Sequence, residues 1–161
     1  MRVTLPTAGQ RPAHCTQRIA LEDHNAAPGF EDHLKETEGH VTKLEQVFES
    51  LDEKARGTHC AGIAGIIDEG KKVMEASFEG ATMDACLIAG GQRAEHYEMA
   101  AYGALVAWAK GLGHSDAAAL LQKILDEEKA ADKKLTALAK GGINDEACSA
   151  AEENDERVQL R

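Results

Sequence analysis

Aromatic residues make up only 4% of this 161-residue chain, and its three prolines all fall within the first 28 positions. A body so poor in aromatic and turn-forming residues, and so rich in alanine, argues against a β-sandwich or barrel and for helices. No apolar run approaches the roughly 18 residues that a membrane-spanning helix requires. The opening Met1–Pro6 also lacks the apolar centre of a secretory signal, so a cytoplasmic protein with no membrane partner is expected. Lys and Arg number 18 against 28 Asp and Glu, for a net charge of −10, and they form no basic stripe. Phosphate binding needs such a stripe, so no nucleic-acid partner is expected. Cys15, Cys60, Cys86 and Cys148 lack any CxxC spacing, which speaks against a zinc ribbon or a redox pair. Cys60 and Cys86 lie in apolar helical surroundings and are expected as buried thiols.

The length suits one domain with a real core, and the periodicity organises it. Residues 1–28 carry the prolines and no sustained 3.6-residue period, and are expected to form an irregular, poorly ordered lead. From Glu31 to Leu51, Leu34, Thr37, Val41, Leu44, Phe48 and Leu51 make one stripe, with His33, Glu36 and His40 at its edge. A shorter helix is expected over His59–Ser77, weakened by Gly62, Gly65 and Gly70. A long one follows from a cap at Thr82 or Asp84 to Lys110, stopped by Gly111 and Gly113. Ser115 is expected to cap a last helix that Gly141 and Gly142 end near Lys140. The helical domain thus covers 29–142, and the Glu-, Asp- and Asn-rich stretch 143–161 reads as a disordered polar tail.

Two of these helices bear acids where a core stripe should be apolar. In the third, Glu95 and Glu98 share a face with Ile88, Gly91, Tyr102, Val106 and Ala109. In the fourth, Glu128 and Asp132 interrupt a seam of Leu121, Ile124, Leu135 and Ala139. Carboxylates enter a core only when paired, hydrogen-bonded or bound to a cation. Four acids on two facing stripes therefore suggest a shared cation site, the alternatives being a solvated acidic face, a structural ion-pair network or, in a metal-free bundle, protons shared between the acids. Asp126, Glu127 and Lys129 lie off the stripe and read as a solvated face. His33 and His40 are each within a helical turn of Glu36, so either can share a cation with it. Gln92, one turn before Glu95, and Tyr102, one turn after Glu98, are placed to hydrogen-bond a carboxylate, and Trp108 reads as packing.

Several strings resemble the YciE/YciF-type branch of the ferritin-like superfamily over residues 30–140. They are His33-Leu34-Lys35-Glu36-Thr37, Leu87-Ile88-Ala89 through Gln92, Glu95-His96-Tyr97-Glu98 with Tyr102-Gly103, and Leu125-Asp126-Glu127-Glu128-Lys129 with Asp132 and Leu135. The resemblance implies an all-α, antiparallel four-helix bundle with a short extra helix in its crossover, a homodimer, and a dinuclear carboxylate site. Members of the family begin with a helix carrying Tyr-x-Ala-Glu, and residues 1–28 hold no such string, so that first helix is expected to be absent or irregular. Carried onto this chain, Glu36 and Glu128 would bridge, Glu95, Glu98 and Asp132 would be terminal ligands, and His33 would supply nitrogen. An oxygen-rich set favours iron, with manganese next, over zinc or copper. The implied function is a stress-associated di-iron protein handling iron, oxygen or peroxide. The alternative is a metal-free helical structural or interaction protein of the stress response.

Overall fold

The computed structural model describes residues 27–76, 78 and 80–159, and side chains only within residues 33–152 of these. The lead over residues 1–26, including the position of the family's first helix, lies outside the described residues. Five α-helices are described: α1 Ala27–Ser50, α2 Ala61–Glu75, α3 Gly80–Gly111, α4 Ser115–Leu138 and α5 Asn144–Gln159, with a π-helical turn Ala139–Ile143 before the last. No strand occurs among them, so the all-α class holds. No described helix is long and apolar enough to cross a membrane.

Helix α1 starts one turn earlier than the periodicity indicates, because Pro28 sits in the first turn, where a missing N–H costs nothing. It closes with Asp52 at φ 56°. The Glu53 amide donates to Phe48 O at 2.9 Å and the Asp52 amide to Glu49 O at 3.0 Å, the paired bonds of a Schellman stop in which Asp takes the left-handed position usually given to Gly. The α3–α4 turn repeats the pattern with Gly113 at φ 80°, and the His114 amide reaches Ala109 O at 2.9 Å. The residue flanking α4 is His114, with no side-chain cap bond, so Ser115 is the first helical residue and not the cap. Thr82 and Asp84 likewise fall inside α3, where Asp84 is buried.

Pairs along the helices set their directions. Gln92 bonds Thr136 while Lys110 bonds Gln122, so α3 and α4 run antiparallel. Glu36 meets Lys134 while Lys43 meets Glu127, so α1 and α4 do as well. Helix α4 is the element both α1 and α3 lean on, and α2 packs on the first half of α3. The main core joins Leu44 and Val47 to Val106, Leu121, Ile124 and Leu125 at the end of the bundle near the α3–α4 turn. Each such fully buried aliphatic side chain contributes roughly 2 kcal/mol. Trp108 is not core: it is 50% exposed. Cys60 and Cys86 are half-buried, not buried.

The polar stretch after residue 143 is helical where an unfolded tail is expected. Gly142, at φ 128°, kinks the chain, and Ile143 plants itself against Ile88 and Leu135. Helix α5 then packs along α3. Asp145 and Glu146 in its first turn suit the positive end of a helix. A helix needing so narrow an apolar edge resembles a solvated segment in composition.

Candidate metal centre

The apolar stripes carry their acids inward. Helix α1 presents His33, Glu36 and His40 at helical spacing, α3 presents Glu95 and Glu98, and α4 presents Glu128. Glu128 is 0% exposed and Glu95 2%. His33 Nε2 lies 3.0 Å from Glu95 Oε1. One ligand atom from each of His33, Glu95 and Glu128 lies within 4.8 Å of the other two. Several polar atoms here are buried without a hydrogen-bond partner: both oxygens of Glu128, Oε2 of Glu95, Oε2 of Glu36 and Nδ1 of His33. Leaving a carboxylate oxygen so placed is costly unless a cation or a proton meets it.

The remaining expected residues divide. Glu36 turns one oxygen to Lys134, at 3.2 Å, and the other toward His33 Nδ1, at 3.8 Å. Glu98 is partly buried and feels both Glu128 and His40. Asp132 stands apart from the three-residue cluster. Its Oδ1 accepts from Gln92 at 3.1 Å and faces His96 Nε2 at 3.1 Å, so Gln92 does bond a carboxylate on the facing helix. His96 is an addition that the α3 periodicity leaves on the outer surface.

Both histidines of α1 reach acids, which the spacing alone leaves open. His40, 3% exposed, directs Nε2 to Glu127 Oε2 at 2.7 Å and Nδ1 toward Glu128 Oε1 at 3.2 Å. Lys43 donates to the same Glu127 oxygen at 2.7 Å. Glu127 therefore belongs to a chain Lys43–Glu127–His40–Glu128 that runs from the surface to the buried acid, and it is not simply a solvated side chain. No sequence signal marks it, since the partners are more than eighty residues apart. The Tyr102 ring meets the His40 imidazole edge-on, with centroids 6.5 Å apart.

The electrostatics follow from this crowding. Burial and the neighbouring Glu128 carboxylate push Glu95 up to about 9. Burial and Glu128 push Glu98 up to about 8, with His40 pulling the other way. Burial lowers His33 against the pull of Glu128 and Glu36. Burial also disfavours charge on His40, but Glu128 and Glu127 outweigh it and raise that imidazole above its ordinary value. Burial acts upward on Glu127 too, and Lys43 and His40 override it to hold the carboxyl below the usual range. Burial drives the Tyr102 phenol well up, helped by Glu98 and Glu128. The arrangement concentrates carboxylate oxygens with imidazole nitrogen in a dry space and supplies too few protein cations to neutralise them.

Comparison with known proteins agrees with this architecture. A family model described as "Domain of unknown function (DUF892)" matches residues 13–148. Protein YciF of Escherichia coli K12 is 40% identical over 129 residues, covering 80% of this chain and 78% of its own length. The crystal structure of the E. coli stress protein YciF superposes with a TM-score of 0.77 at 39% identity, over 83% of this chain and 84% of that one. YcfI of Rhodopseudomonas palustris, described as a candidate structural protein, superposes at 0.72 with 37% identity, over 78% and 80% of the two chains. A helical bundle with this family match over most of its length belongs to the DUF892 family, of YciF type.

Proposed function

We propose that this chain is a ferritin-like carboxylate protein that holds a pair of iron or manganese ions between α1, α3 and α4 and handles iron, oxygen or peroxide under stress. The observation that carries the reading is Glu128: no exposure, Oε2 without a hydrogen-bond partner, Oε1 facing His40 Nδ1 at 3.2 Å, and one ligand atom each of Glu95, His33 and Glu128 within 4.8 Å of one another. Those residues fit a cation. They would be first to hold it, with Glu36 and Glu98 completing the oxygen-rich set and Asp132, engaged by Gln92 and His96, at its edge. Such donors suit iron and manganese better than zinc or copper. When bound, a metal pair of this kind supplies one-electron redox chemistry. The residues of the chain neutralise it, exclude water from Glu95 and Glu128, and retain protons on Glu95 and Glu98 until a cation displaces them.

A homodimer belongs to the same proposal, and sedimentation velocity tests it. The test of the site is metal content per chain after expression in iron-supplemented cells, measured by plasma emission, with Glu95→Ala and Glu128→Ala alongside. About two ions per chain, lost in both variants, is the expected result. Retention in both variants would mean the ligands are misassigned.

A second reading has its own observation. With Glu95 at about 9 and Glu98 at about 8, protons can hold the cluster together at neutral pH, and the protein would then be a metal-free structural or interaction bundle. Near-zero metal in parent and variants alike, and a melting temperature indifferent to ferrous or manganous ion beyond the effect of magnesium, would favour it.

A further inference from the structure

Lys134 has no place in the ligand set, yet it reaches toward it. A pocket is lined by His33, Glu36, Glu95 and Lys134 together with the apolar Leu135 and Leu138. Among its described lining residues Lys134 is the only lysine or arginine. Its side chain is 55% exposed, and its ammonium lies 3.2 Å from Glu36 Oε1. The other oxygen of Glu36 is buried and without a hydrogen-bond partner, 3.8 Å from His33 Nδ1. Glu36 is thus divided between a solvent-side cation and the interior. It is also the carboxylate at which the pocket connects exposed Lys134 to buried Glu95.

We propose that Lys134 is a tethered counter-cation that competes with the incoming metal for Glu36 and so limits both the affinity and the rate of cation uptake through this pocket. The inference rests on the metal-binding reading and specifies how that site is regulated. The physics is simple repulsion. A divalent ion coordinated by Glu36 would lie within a few ångströms of the ammonium that Glu36 now holds, so uptake requires that ion pair to break and the lysine to swing into water. The lysine is already half in solvent, so the swing is sterically free. Its cost is electrostatic and is weakened by water and salt.

Lys133 provides the control. It is exposed on the same helix and does not line the pocket, so Lys133→Gln and Lys134→Gln change net charge equally. The probe is manganous ion, with free metal followed by its electron paramagnetic resonance signal and uptake by stopped flow. Expected are binding about tenfold tighter and correspondingly faster uptake in Lys134→Gln, both differences shrinking in high salt, and parent-like behaviour in Lys133→Gln. The same Lys134→Gln change should lower the melting temperature of the metal-free protein and raise that of the loaded one. Equal affinity and rate in the two variants, with the parent binding, would overturn the role of Lys134 and leave the metal site standing. No uptake by the parent of either manganous ion or, under anaerobic conditions, ferrous ion would overturn the site, and the inference with it.

Discussion

His40 Nδ1 and Glu128 Oε1 face each other across α1 and α4 at 3.2 Å, both atoms buried and neither aligned for a hydrogen bond. The opposite nitrogen of the same ring is engaged at 2.7 Å by Glu127, which Lys43 also holds at 2.7 Å. One side of the imidazole is therefore clamped from the surface, and this fixes what the other side offers the buried acid.

Removing the clamp should loosen the centre. Glu127→Ala leaves a buried imidazole nitrogen without its partner, and a loss of about 1–3 kcal/mol is expected, read by urea denaturation of the metal-free protein. Metal affinity should fall in parallel although Glu127 is outside the proposed ligand set. Glu127→Gln should restore part of both. An unchanged denaturation midpoint in Glu127→Ala would show that the clamp is dispensable.

Without metal, stability should fall as pH rises. Glu95 and Glu98 are raised to about 9 and about 8 in the folded chain, so between about 4.5 and those values the folded state binds more protons than the unfolded one. Their contribution is complete below the unfolded value and is lost as pH climbs through the folded ones, at up to about 1.4 kcal/mol per pH unit for each proton involved. The raised His40 acts in the same direction above its ordinary value, and the lowered His33 opposes it below. Melting curves in chelator from pH 5 to 9 should show the highest midpoint at the acid end, and Glu95→Gln should flatten the trend.

Metal should reverse that dependence. Binding must displace the protons on Glu95 and Glu98, so manganous ion should raise the melting temperature more at pH 8 than at pH 6. At a hundredfold excess over Kd the stabilisation is about 2.7 kcal/mol. Titration in buffers of different ionisation enthalpy should register proton release. Magnesium should produce both effects more weakly than manganous ion.

The seat of α2 depends on one missing side chain. A Cβ on Gly62 would come within 2.6 Å of the Tyr97 hydroxyl, which also lies 3.0 Å from Cys60 Sγ. Tyr97 is 39% exposed, so Gly62→Ala should push its ring outward at a cost that the better helix propensity of alanine largely offsets, for a net loss of at most about 1 kcal/mol, with faster proteolysis in α2. Adding Tyr97→Ala should remove most of that penalty, and metal uptake should stay at the parent level in both.

What the sequence by itself determined is local and repetitive. The 3.6-residue period of apolar residues marks α1, α3 and α4, because a helix must repeat its buried face every turn, and the same period points Glu95 and Glu128 into the core. Motif strings add the family. Composition misjudged α5, whose edge is held by Ile143 and a kink at Gly142, because a helix with so few apolar contacts is chemically indistinguishable from a solvated tail until its neighbour is known. Only the tertiary structure decided how the acids are partnered. Antiparallel packing of α1 on α4 brings Lys43 and His40 to Glu127 and Lys134 to Glu36, while α3 packed on α4 turns Asp132 toward Gln92 and His96. Those pairings depend on the rotation and register of helices distant in sequence, which packing of the whole core sets and no helical period encodes.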